Sequence, residues 1–198
     1  MPWAVRCAGR ADGSVFRGSG RVRAGGGLVL SLKVHSMATP DFIRDLRIAI
    51  GSELLWLPGV TAVVFDDEGR VLLGKRADNG CWAVIGGIPE PGEQPAETAV
   101  REVYEETAVR VVAERIVLVE SVPPVRYPNG DVCQFMDVTL RCRAVGGDAR
   151  VNDDESLEVG WFTLDALPEL DDYALTRIKR AVEAGPSWFQ GQGEAPQG

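Results

Sequence analysis

The chain has 198 residues, with 21 basic and 29 acidic side chains and a formal net charge of −8. Its 45% hydrophobic content suits one packed domain. The acidic balance excludes nucleic acid as a partner, and no apolar run approaches the length of a membrane span.

Residues 1–36 carry six Arg or Lys and one acid, Asp12, leaving 15 basic and 28 acidic residues in 37–198, a net charge of −13 there. This Gly/Arg-rich leader reads as translated sequence upstream of the native start, ahead of a disordered tail or an Arg-rich targeting peptide. The segment 37–58 then opens like an ordinary amino terminus at Met37, and a helix is expected over 42–55. Thr39-Pro40-Asp41 would cap it, and Phe42, Leu46, Ile48, Ile50 and Leu54 would pack it on the domain.

A domain is expected over 59–186. Strands are predicted over 60–65 and 71–73, joined through Asp66-Asp67-Glu68-Gly69 with Gly69 in the turn. A short strand over 82–85 feeds the pair Gly86-Gly87, and a long helix follows. Beyond it, strands are predicted over 111–122 and 132–142, connected by the turn-rich 123–131. The acidic run Asn152-Asp153-Asp154-Glu155 precedes a strand near Trp161, and a helix over 172–183 stops at Gly185-Pro186. Residues 187–198 read as a flexible tail. Strands on both sides of one long helix predict an α/β sandwich with a mixed sheet. Cys7, Cys81, Cys133 and Cys142 show no metal-binding or disulfide spacing, which predicts reduced thiols and a cytoplasmic protein.

The chemistry concentrates in Gly87 to Val109, GIPEPGEQPAETAVREVYEETAV. On a helix, Glu102, Glu105 and Glu106 stand at i, i+3 and i+4 and share a face. Ala96, Ala99, Val100 and Val103 form a second stripe, expected to pack on the sheet while the glutamates face a cleft. Pro95 suits the first helical turn, and Arg101 is spaced to pair with Glu97 or Glu105. Clustered carboxylates repel unless a cation balances them. Hard oxygen donors select magnesium or manganese, which commonly bridge carboxylates to substrate phosphates. The glycine-rich loop lets backbone approach such a ligand closely. With His35 the only histidine, triad and histidine–metal chemistry drop out, leaving carboxylates and metal.

This segment resembles the signature of the Nudix hydrolases at Gly87, Glu93, Arg101, Glu102, Val103, Glu105, Glu106 and Val109. It departs at Ala108, where the family has a glycine that ends the helix in a left-handed conformation. The resemblance implies a Nudix-type α/β/α sandwich with a mixed sheet. It further implies a magnesium- or manganese-dependent hydrolase that cleaves the diphosphate of a small nucleoside diphosphate derivative, of the ADP-ribose or nucleotide-sugar type. A nucleoside triphosphate pyrophosphohydrolase and a non-catalytic ligand-sensing module are the alternatives. Glu105, Glu106 and the Gly86 carbonyl would hold the metal, and Glu102 would ligate it or act as base. Arg101 and Glu93 would brace loop and helix. Glu155, ahead of Glu158, is the candidate for a further carboxylate from beyond the signature. A homodimer is implied by the resemblance alone. Arg76, Gly87, Trp82 and Tyr127 are the candidate substrate contacts, with Arg76 and Lys75 ending a strand just before the loop. Pro124 and Tyr127 match markers of two different subgroups, so they do not separate ADP-ribose from dinucleoside polyphosphates.

Overall fold

The computed structural model describes residues 40–127 and 129–189. The leader 1–36, Thr39, Pro128 and the end of the expected tail lie outside the described residues. The elements in chain order are α1 (Asp41–Ile50), β1 (Leu55–Phe65), β2 (Val71–Arg76), β3 (Trp82–Ala83), β4 (Ile85–Gly87), α2 (Pro95–Thr107), β5 (Arg110–Ser121), β6 (Val125–Arg126), β7 (Val132–Gly146), β8 (Ser156–Phe162), α3 (Asp172–Val182) and β9 (Trp188–Phe189).

A nine-stranded sheet runs in the order β3-β2-β1-β7-β5-β9, with β4 also on β1, β6 on β7 and β8 on β2. The β1–β7 pairing is parallel and the β1–β2 and β5–β7 pairings are antiparallel, so the sheet is mixed as expected. Strand β1 is buried on both faces, and alternation assigns its side chains to two layers. Val60, Ala62 and Val64 join Leu72, Ile85 and, from α2, Ala99 and Val103. Val63 and Phe65 join Val71, Leu73 and, from α3, Ile178 and Ala181. Helices on opposite faces of one sheet make the α/β/α sandwich.

Several local expectations are corrected. The first helix stops at Ile50 instead of reaching Leu55, because Gly51 turns to φ 61° and donates its N–H to the Arg47 carbonyl. Of α1 only Ile43 is buried, while Leu46, Ile48 and Leu54 remain exposed. Residues 55–59 join β1 through the long parallel register from Leu55↔Cys133 to Phe65↔Arg143. Pro58 is tolerated there because the partner on the other side, β4, pairs only from Val60. The expected strand over 82–85 is two pieces, since β3 pairs β2 and the chain then crosses to β1 as β4. Trp188 and Phe189, within the expected tail, pair in parallel with Leu118 and Val119 of β5. Cys133 and Cys142 are buried free thiols, whereas Cys81 is disulfide-bonded, against the expectation of reduced thiols throughout.

Ala108 ends α2 at φ 58° and ψ 10°, in the left-handed conformation that glycine takes at lower cost. Ala108→Gly relieves that strain but loses a buried methyl and adds unfolded-state entropy. A gain of at most about 1 kcal/mol is therefore expected. Ala108→Val, branched at Cβ, should instead lose more than about 1 kcal/mol. Urea unfolding of the pair checks this, and an unharmed valine variant would contradict the strain.

Candidate active site

The loop before α2 is built around Glu93. Its carboxylate accepts from Arg101 Nε at 2.7 Å and Arg101 Nη2 at 2.9 Å, a two-pronged ion pair. It also accepts from the Glu90 N–H at 3.0 Å and the Thr98 hydroxyl at 2.9 Å. These donors, Arg101 foremost, hold the Glu93 carboxyl down at about 2. Glu97 does not pair with Arg101: it accepts the Gln94 N–H at 2.8 Å and completes a capping box at the helix start, with Pro95 in the first turn. Arg101 turns instead to Glu102 Oε1 at 2.9 Å and Glu105 Oε2 at 3.1 Å.

The helix is rotated from the expected setting. Its buried residues are Thr98, Ala99, Val103, Glu106 and Thr107, while Val100 and Ala96 are exposed. Two threonines make this face buriable, because Thr107 donates to the Val103 carbonyl at 2.5 Å and Thr98 to Glu93. The three glutamates are consequently unequal. Glu106 is 5% exposed, and its Oε1 is buried with no hydrogen-bond partner. Glu102 lies beside it, and Glu105 is half exposed on Arg101.

Gly87 packs against Glu102 and Gly86 against β1, and neither admits a side chain. A Cβ on Gly87 would lie 1.9 Å from Glu102 Oε1, and one on Gly86 would lie 2.5 Å from the Val60 carbonyl oxygen. Burial, opposed by Arg101 and reinforced by the charges of Glu155 and Glu105, lifts the Glu102 carboxyl to about 7. Burial, with Glu102, Glu155 and Asp153 adding to it, raises Glu106 well above the carboxylate range. The structure thus brings Glu155 into the same field as the signature glutamates. Glu158, the second choice, pairs with Lys75 across β8 and β2.

Among the described residues, no three His, Cys, Asp or Glu side chains converge tightly enough to hold a metal ion. The Arg101 guanidinium stands between Glu102 and Glu105 instead. The donors nevertheless fit a hard divalent cation: carboxylates crowded against their own repulsion, one with an unpartnered buried oxygen, beside a strand too close for any side chain.

These raised carboxyls set the pH response of the cation-free protein. An acid whose folded pKa exceeds its unfolded value stabilises the fold below the unfolded value and loses that contribution as pH rises through the folded one. For Glu102 the window runs from the ordinary carboxylate value to about 7. Glu106, Glu120 and Asp153 shift in the same direction, and Glu93 acts oppositely only near its own low value. In EDTA, stability should fall by about 2–3 kcal/mol between pH 5 and 7.5, with manganese removing the slope. Urea unfolding across that range measures it, and flat or rising stability in EDTA would contradict the crowding.

The candidate substrate contacts divide. Arg76, which pairs with Asp78, and Trp82 line a small cleft on the α3 face together with Thr61, Gly86, Asp171 and Arg177. Trp82 also meets Phe162 edge-on at 4.9 Å and packs on the α3-side core. Tyr127 sits in the loop that follows β6. It packs on the core cluster of Ile43 and Phe135, with its hydroxyl buried and unpartnered among the charges of Arg76, Asp78 and Arg47.

One buried cluster went unpredicted. Asp137 is fully buried and accepts from Thr61 Oγ1 at 2.9 Å, Thr139 Oγ1 at 2.8 Å and Arg177 Nε at 3.1 Å. Its signal lay in periodicity: Asp137 occupies the inward phase of Cys133, Phe135 and Thr139, and Arg177 the inward stripe of Ala174, Ile178 and Ala181.

The chain is similar to known proteins. The model of the NUDIX domain matches residues 55–182. The chain is 35% identical over 129 residues to a "MutT-like protein" of Streptomyces ambofaciens, covering 64% of this chain and 78% of that one. It is 34% identical over 132 residues to an "ADP-ribose pyrophosphatase" of Methanocaldococcus jannaschii, covering 64% and 73%. In fold it is similar to the crystal structure of a MutT protein from Methanosarcina mazei Go1, with TM-score 0.54 and 23% identity over 65% of this chain and 94% of that one. A match over most of the described residues, centred on a helix that carries Arg101, Glu102, Glu105 and Glu106 beside Gly86-Gly87, means that the chain belongs to the NUDIX domain family of hydrolases.

Proposed function

We propose that this enzyme is a magnesium- or manganese-dependent pyrophosphohydrolase that cleaves the diphosphate of a nucleoside diphosphate derivative, ADP-ribose or a nucleotide sugar. The observation that carries the reading is the burial of Glu102 against Gly87 beside a buried Glu106 whose Oε1 is unpartnered. Glu102, Glu105, Glu106 and the Gly86 carbonyl are the groups to hold the cation. When bound, the cation neutralises phosphate charge and acidifies a coordinated water.

The chain's own residues do the rest. Glu102, buried beside Glu106 on the site face of α2, is the residue to take the proton of the attacking water. The water oxygen bonds to phosphorus, the bridging P–O bond breaks, and the leaving phosphate takes the electron pair. Glu93 and Arg101 keep the loop rigid against the helix. Arg76 and Trp82, on the cleft beyond Gly86, offer a cation and a ring face to the remainder of the substrate. The similarity to an archaeal ADP-ribose pyrophosphatase supports that substrate class. Similarity to a MutT-like protein favours a second reading, in which nucleoside triphosphates are cleaved to monophosphate and pyrophosphate.

The test is phosphate-product release by the full chain from ADP-ribose, nucleotide sugars, dinucleoside polyphosphates and nucleoside triphosphates, with magnesium or manganese. Metal-dependent release from the first two classes is expected. Release from triphosphates alone selects the second reading. Silence across the panel by folded, cation-binding protein would move the chain to a ligand-sensing role.

A further inference from the structure

The last four carbonyls of a helix have no partner within it. At the end of α2 the segment 147–155 supplies partners. The Arg150 N–H donates to the Thr107 carbonyl at 3.0 Å, and the Asn152 N–H to the Glu106 carbonyl at 3.2 Å. The Asn152 side-chain amide, Nδ2, donates at 3.0 Å to the Tyr104 carbonyl, which also accepts the Ala108 N–H at 2.9 Å. Gly147 approaches so closely that a Cβ would come within 2.3 Å of the Ala108 carbonyl oxygen.

The other end of the segment is tied as well. The Ala77 N–H donates to the Glu155 carbonyl at 2.8 Å, and the Glu155 N–H to the Asp153 carboxylate at 3.0 Å. Gly74 leaves the space that this arrangement needs. A Cβ there would meet Ser156 Oγ at 3.1 Å and Glu106 Oε2 at 3.8 Å, so the start of β8 and the Glu106 carboxylate share one small volume.

We propose that Asn152 is a positioning residue for the carboxylate centre: by clamping 147–155 onto the last turn of α2, it holds Glu155 against Glu102 and Glu106 as part of the cation-binding set. This rests on the hydrolase reading of those glutamates. The position calls for a short, neutral donor. An aspartate of the same shape could not donate, and its charge would meet the negative end of the helix dipole. Without the clamp, gathering another carboxylate into an already crowded field has no compensation until the cation arrives. The helix end and the loop therefore share one geometry, although more than forty residues separate them in sequence.

Manganese alone, titrated into substrate-free full chain and followed by the electron paramagnetic resonance of the free ion, tests this. The proteins are wild type, Asn152→Ala, Asn152→Leu, Glu155→Gln, the Asn152→Ala/Glu155→Gln double variant and Glu106→Gln. Asn152→Leu keeps the side-chain shape while removing the donor. Both Asn152 variants should weaken manganese binding about 10-fold, the scale of lost support for a ligand, with an unchanged melting temperature. Glu155→Gln should do the same, and the double variant should bind no more weakly than Glu155→Gln, because the two residues act as one unit. Wild-type affinity in the Asn152 variants or in Glu155→Gln, or losses that multiply in the double variant, would overturn the clamp. A lower melting temperature with unchanged affinity would make Asn152 merely structural. Weak binding by Glu106→Gln in the same series keeps the hydrolase reading when the clamp fails. If wild type and Glu106→Gln bind alike, that reading fails first.

Discussion

Glu106→Gln is expected to lower turnover by at least about 10²-fold and, in the absence of divalent cation, to stabilise the fold by roughly 1–3 kcal/mol. Opposite signs from one substitution are the mark of a charge held in place for chemistry. The Glu106 carboxyl is buried beside Glu102, with Oε1 unpartnered and its pKa raised chiefly by burial. Near neutral pH the empty site must either keep an uncompensated charge or take up a proton, and both cost folding free energy. Glutamine has the same shape, needs no counter-ion and can donate to the neighbouring carboxylate, so the fold gains. The gain should vanish with saturating manganese, which stabilises the wild type through binding and the variant much less. Steady-state turnover with either metal, beside urea unfolding in EDTA and in manganese, gives the four numbers required. Unchanged turnover would remove Glu106 from the reaction. Loss of stability in EDTA would mean that its carboxylate has a compensating partner.

How far the sequence carries depends on how local the cause is. The fixed spacing from Gly87 to Val109 is local, and it foretold the helix and the Pro95 start, while the resemblance implied the left-handed end at position 108. The rotation of that helix was not local. Counting apolar residues placed Ala96 and Val100 on the sheet, whereas Thr98 and Thr107, which can satisfy their hydroxyls within the helix and its loop, took the buried face. That change puts Glu106 in the interior and leaves Glu105 outside. The extent of β1 escaped for a related reason: residues 55–59 become strand only because β7 runs parallel beside them for eleven residue pairs. Glu155 is only a candidate among the acidic residues, and the bonds that fix its loop run to backbone carbonyls of α2, which side-chain types do not reveal.

Arg177→Ala is expected to be the most damaging single change to stability, at about 3–5 kcal/mol. Arg177 lies on the inward face of α3, 5% exposed, with Nε 3.1 Å from Asp137 Oδ2 and Nη2 3.2 Å from Glu120 Oε1. Asp137 is fully buried in the centre of β7. Without the guanidinium it keeps two hydroxyl donors, Thr61 and Thr139, with no salt-bridge partner left among the described residues. Breaking a buried pair from one side leaves a charge whose desolvation is no longer offset, which costs far more than the pair contributes as a whole. The double variant Arg177→Met/Asp137→Leu should therefore recover most of the loss. Each single variant and the double, unfolded in urea, close a thermodynamic cycle with a coupling of several kcal/mol. A loss below about 1 kcal/mol for Arg177→Ala would mean that the buried pair is not what holds α3 on the sheet. Arg177 also lines the cleft that Gly86 shares. Loss of the pair should consequently loosen α3 against the sheet and raise KM more than it lowers kcat, since the glutamates on α2 pack on the opposite face.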